Sequence, residues 1–252
     1  MKKNRCSICI LGPDYSVNIE TDWGIRMNDL SNKLEQFMKK HFDDLVLAPG
    51  LFYSWRCGLR FEISNPDLSF QEKANLKQVY ERSTDIFKRI FDENDEILLV
   101  TNVYCHKADT FLQSKPLNVY RKYVKNRQSL NKLRHDVLPS IEWDDEESDE
   151  YRNEVTHRFI FQCKISEVRY TQLLLAISYE DFGHQSCILK GFPRNGYDIF
   201  FVNLSKKIIY HLYDDRGCDV IAADREHIRL LYEVRNEWIL DYDRDKIEST
   251  FS

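Results

Sequence analysis

The chain has 252 residues, 42% of them hydrophobic and 31% charged, with a formal net charge of −5. This suits a soluble globular protein with one sizeable core, and it excludes the global basic field that holds nucleic acid. Eight glycines leave little material for phosphate-cradling loops. The fingerprints of P-loop NTPases, α/β-hydrolases, zincins and Rossmann dehydrogenases are all missing, so those classes are set aside.

In chain order, Cys6-x-x-Cys9 comes first. A structural zinc site needs a second pair at similar spacing, and none follows. A redox pair needs a helix N-terminus, whereas Gly12-Pro13 comes next. Zinc or redox chemistry at Cys6 and Cys9 is therefore the lesser reading, and no cofactor is expected. The seven cysteines have no framework spacing, which suits free thiols in a reducing cytosol. The apolar run Ile8–Leu11 is too short for a signal peptide, and no stretch reaches the ~18 apolar residues of a membrane span. A cytoplasmic protein without membrane contact is expected. Residues 1–26 read as an extension, with Met27 a candidate start; 27–252 read as a single α+β domain.

From Met27 the spacing of Leu30, Leu34, Phe37 and Met38 predicts a helix capped by Ser31. Residues 57–64 alternate as a strand. Ser69 and Glu72 form a capping-box pattern ahead of a helix to about Phe91, with Leu76, Val79, Tyr80, Ile86, Phe87 and Ile90 on its inner face. The apolar run 96–105 reads as a buried strand. This makes one strand–helix–strand unit, right-handed if its strands are parallel neighbours.

The middle of the chain is polarised. Lys115 to Arg134 holds seven basic residues and no acid; Asp136 to Glu154 holds nine acids and one arginine. The acidic part, about 144–154, reads as an exposed, mobile loop. Tyr120 and Tyr123 lie within the basic part. That pattern can touch RNA, but a solvated face or pairing with the acidic loop is favoured. Gln162 and Lys164 share one strand face, a faint likeness to a restriction-type nuclease core; two solvent-facing polar residues are the commoner case.

Further strands are expected at 156–165, 186–190, 197–204, 207–213 and 218–222, with a helix from about Glu167 to Asp181 placing Tyr170, Leu173, Leu174 and Ile177 inward. Strand 207–213 is apolar on both faces and so should be central, with His211 packed inside. Asp224 should cap a helix carrying Ile228, Leu231, Tyr232 and a largely buried Trp238, and Asp243 a final short one. The overall expectation is an α+β fold with a mixed, largely antiparallel sheet and helices packed on it.

Asp214-Asp215-Arg216-Gly217 invites two readings. Aspartates bond nearby backbone N–H groups and glycine supplies positive φ, so a tight turn accounts for all four residues. Alternatively Asp214, Asp215 and Asp219, with His211 and Arg216, gather at a strand end to hold Mg²⁺ for a hydrolase or nuclease. The segments Tyr213-Asp214-Asp215-Arg216-Gly217-Cys218-Asp219 and Trp238-Ile239-Leu240-Asp241-Tyr242 resemble a bacterial domain family of unknown function seen mostly in Firmicutes. The resemblance spans about residues 197–242 and implies a bacterial cytosolic protein without an assigned activity. The leading functional expectation is a non-enzymatic module that binds another protein, in an immunity- or antitoxin-like role. Nucleic acid is not the expected partner.

Overall fold

The computed structural model describes residues 22–69, 72–110, 112, 119–141, 153–179 and 196–252, which form seven strands and six α-helices. In chain order these are α1 (Asp22–Phe42), α2 (Leu51–Ser54), β1 (Gly58–Glu62), α3 (Lys73–Ile90), β2 (Glu96–His106), β3 (Arg134–Pro139), β4 (Glu154–Lys164), α4 (Tyr170–Ile177), β5 (Tyr197–Asn203), β6 (Ile208–Leu212), β7 (Gly217–Ala222), α5 (Arg229–Val234) and α6 (Arg244–Phe251). Cys6, Cys9, the strand expected at 186–190 and nearly all of the acidic segment lie outside the described residues. The boundary expected at Met27 falls inside α1.

The strands form one sheet in the order β1-β7-β6-β5-β2-β4-β3. Every neighbouring pair is antiparallel. The fold is α+β, and the sheet is purely antiparallel. The strand–helix–strand unit β1-α3-β2 is present, and its two strands point the same way, but three other strands separate them.

Both faces of the sheet are covered, as the apolar character of strand 207–213 requires. On one face Ile208, Tyr210 and Leu212 join the core beneath α3, α4 and α5, together with Phe61, Phe87, Leu99, Phe161 and Phe201. On the other, Ile209, Val100, Ile160 and Phe200 pack against Leu34, Phe37 and Phe42 of α1 and against Leu47 and Leu51. Phe87 of α3 is an aromatic hub, with ring centroids of Phe91, Tyr170, Phe201 and Tyr210 all within 5.5 Å.

Local chemistry explains the connections. The β5–β6 hairpin lacks Asn-Gly, but the Asn203 side chain accepts the N–H groups of Ser205 and Lys206, and Lys207 takes φ 54°. Helix α3 starts one residue after Glu72, whose carboxylate accepts the Ser69 N–H. Tyr80, expected inward, is partly exposed on the outer side of α3. The helix expected from 225 to 239 is broken into a 3-10 turn, α5 and a second 3-10 turn. Trp238 accordingly sits half-buried at the edge of the core and not within it, with the guanidinium groups of Arg82 and Arg235 at 5.1 and 4.4 Å from its ring centroid. The chain that follows closes the outer edge of β1: Ile239 bridges Phe61, and the Leu240 N–H bonds the Arg60 carbonyl. An edge covered in this way offers no template for pairing with another chain.

Candidate functional site

Each of the seven strands places one strongly polar residue on the α1 face: Arg60, Asn102, Asp136, Arg158, Asp198, His211 and Asp219. The register sets Arg60 opposite Asp219 and Asp219 opposite His211. It sets Asp198 opposite Asn102, Asn102 opposite Arg158 and Arg158 opposite Asp136. Directly opposed residues of a sheet share a face. The result is a polar belt crossing the whole sheet, in two rows that meet where His211 Nε2 donates to Asp198 Oδ1 at 2.7 Å.

The belt is knit together along most of its length. Asp198 Oδ2 accepts the Tyr104 hydroxyl at 2.6 Å. Arg158 Nε donates to Asn102 Oδ1 at 2.9 Å, and both side chains donate to the Leu47 carbonyl. Burial lowers the pKa of Arg158 while the Tyr104 hydroxyl and the Asp136 carboxylate oppose that shift. Asp136 accepts the Ser31 hydroxyl of α1 and pairs with Arg134. At the opposite edge the Phe52 N–H donates to Asp219 Oδ2 at 3.2 Å. Arg60 lies 3.9 Å from Asp219 and 3.8 Å from Asp243, with the rings of Tyr53 and Tyr213 each about 5 Å from its guanidinium carbon. Asp219 and His211 are both 0% exposed. Burial raises the Asp219 pKa, and His211, Arg60 and the Phe52 N–H only partly offset it.

The acids singled out in the sequence do different things. Asp214 caps the turn: its carboxylate accepts the Arg216 N–H and Nε–H, both at 2.7 Å. Asp215 is buried beside it, and Arg216 reaches solvent. Asp219 belongs to the belt. Among the described residues no three of His, Cys, Asp and Glu come together in a way that could hold a metal ion. Gly217 does not adopt positive φ. Glycine is needed there for close approach, since a Cβ would collide with the Tyr213 hydroxyl and lie 2.6 Å from the Phe61 carbonyl oxygen.

Gln162 accepts from Lys33 of α1, which ties helix to sheet. Tyr120 and Tyr123 are buried and unavailable to stack on bases; the Tyr120 hydroxyl bonds Thr101 and the carbonyls of Leu99 and Phe159. Cys57, Cys105, Cys163 and Cys218 are free thiols. Burial pushes Cys105 up to about 11, and raises Cys163 and Cys218 as well, so these thiols stay protonated at neutral pH. Sequence reasoning missed Arg60, Asn102, Arg158 and Asp198. The available signal was a lone polar residue inside an apolar strand run.

These features define an α+β domain built on one antiparallel sheet, with helices on both faces and a buried polar belt. The chain belongs to the family described as Domain of unknown function (DUF3885), whose model matches residues 34–243. That span carries the resemblance far beyond 197–242 and includes every belt residue. The chain is also similar to "Uncharacterized protein YnaE" of Bacillus subtilis (strain 168), with 36% identity over 211 residues, covering 82% of this chain and 96% of that protein. No solved structure matches. No helix among the described residues is long and apolar enough to cross a membrane.

Proposed function

We propose that this protein works by binding another protein and catalyses no reaction of its own. The observation that carries this reading is a division by exposure. Asp214, Asp215, Asp219 and His211 are buried, with Asp214 and Asp219 engaged by neighbouring groups, while aromatic side chains face outward. Tyr53 is 52% exposed and Tyr242 is 87% exposed. Tyr53 donates its hydroxyl to Asp243, the residue after Tyr242, and carries the charges of Arg60 and Lys246 over its ring. Tyrosine and arginine held in place by packing are the residues that dominate protein–protein binding energy. An immunity- or antitoxin-like role is one form of this reading, in which the net charge of −5 complements a basic partner.

The test is affinity capture from the native host with the wild type and with Tyr242→Ala, whose side chain is almost fully exposed. The expected result is one partner, bound at least about tenfold more weakly by the variant at an unchanged melting temperature, a loss of about 1.4 kcal/mol. A Mg²⁺-dependent hydrolysis that disappears in Asp219→Asn, with no partner captured, would overturn the proposal in favour of the hydrolase reading.

A further inference from the structure

Four buried side-chain atoms without a hydrogen-bond partner fall in one stretch of the belt: Arg60 Nε and Nη1, Asp219 Oδ1 and His211 Nδ1. They come from three neighbouring strands in direct register. Buried polar atoms in folded proteins almost always have a partner, either protein or ordered water, so this concentration needs a physical explanation. We propose that this stretch is a binding site for an internal water molecule, held between Arg60, Asp219 and His211.

Charge selects the guest. Asp219 and Asp243 repel an anion, and among the described residues no three of His, Cys, Asp and Glu come together to hold a metal ion, so a neutral guest fits the site. Hydrogen-bonding chemistry narrows it further. Arg60 only donates, and Asp219 Oδ1 as a carboxylate only accepts, so the guest must both accept and donate. His211 Nε2 is committed as a donor to Asp198. The Nδ1 atom is then an acceptor in the neutral ring and a donor in the charged one, and water serves either. The spacing fits as well. Arg60 Nε and Asp219 Oδ1 are 3.9 Å apart, too far for a direct hydrogen bond. One water about 2.9 Å from each would subtend an angle of roughly 85°. Three or four polar partners is the usual complement of a buried water. With it in place, hydrogen bonds run without a break from Arg60, on the outermost strand β1 beside Tyr53, to Tyr104 on β2.

Two measurements decide. A crystal structure of the full chain at about 1.5 Å is expected to show a water-sized peak within hydrogen-bonding distance of at least two of Arg60, Asp219 and His211. Direct contact between Arg60 and Asp219 with no peak, or density for a larger molecule, would overturn the proposal. In solution, ¹⁷O magnetic relaxation dispersion counts long-lived internal waters. Arg60→Met keeps the apolar stem between the two tyrosines and removes the donors. It is expected to lose one long-lived water relative to the wild type, and an unchanged count would sink the idea. If that variant does not fold, the wild-type density alone settles the matter.

Discussion

At the scale of single residues, position within the backbone decides what a side chain can do. Gly217 is the clearest case. The sequence suggested a glycine needed for its φ, but the constraint is space. Gly217→Ala drives a methyl group into the Phe61 carbonyl, and backbone cannot yield cheaply. A loss of about 3 kcal/mol is expected in urea denaturation, at the upper end for overpacking. Tyr213→Phe should not rescue it, because the carbonyl clash at 2.6 Å remains. Asp219 gives a prediction with a definite sign. Its folded pKa is raised, chiefly by burial, so the folded state holds the proton more tightly than the unfolded chain. Its contribution to stability is greatest below the ordinary carboxyl value and is lost as pH rises through the raised one. Asp219→Asn removes that pH-dependent component. Measured by urea denaturation across the acid range, wild type should gain stability relative to the variant at low pH and lose it towards neutral pH. A difference between the two that stays constant with pH would rule out a raised pKa at Asp219. The turn at Asp214 was legible in the sequence because an aspartate bonding the N–H two residues on is local chemistry. Asp219 was misgrouped with it because strand register carries it to a different set of neighbours.

At the scale of elements, the outermost strand carries an acid-sensitive pair. His135 on β3 and His157 on β4 share a hydrogen bond of 2.9 Å, and the His135 ring stacks on Phe159 at 4.4 Å. Burial, then the neighbouring His157, pushes His135 down to about 4, and burial lowers His157 too. Groups with lowered histidine pKa values stabilise the fold above the ordinary value near 6.5 and lose that contribution as pH falls through the folded one. Stability is therefore expected to decline between about pH 6.5 and 4. His135→Gln should flatten the decline; an identical slope in the variant would assign it elsewhere. The last helical region shows the limit of periodicity. Ile228, Leu231, Tyr232 and Trp238 suggested one continuous stripe, but the helix breaks twice. Trp238→Ala is then expected to cost about 1–3 kcal/mol, less than the 3–5 typical of a fully buried aromatic. Strands β5, β6 and β7 were readable as apolar runs between turn residues. Strand β3 was not, because Arg134, His135 and Asp136 read as part of a charged region and only pairing with β4 makes them a strand.

At the scale of the whole molecule, the two cores share one sheet and cannot melt apart. Unfolding followed by tryptophan fluorescence and by circular dichroism should give coincident transitions. A separate early transition for the α1 face would contradict this. Amide exchange should be slowest in β5 and β2, at and next to the middle of the sheet, and faster in β3, the last strand in its order. An α+β class with a largely antiparallel sheet was readable from the apolar patterning; that no neighbouring pair is parallel was not. The strand order was not, because pairings between distant segments leave no local mark. The belt was hidden for the same reason. A single arginine or asparagine in an apolar run has no visible partner until seven strands line up.

That strand order bears on how the chain is made. Glu62 pairs with Gly217, so β1, the first of the described strands to leave the ribosome, finds its partner only when β7, the last of them, has emerged. At about 5–20 residues per second this is a wait on the order of ten seconds or more. Through that interval β1 has no strand to pair with, although α3 can already pack on Tyr170 and Phe201. A truncation before β7 therefore leaves a product whose β1 cannot join the sheet.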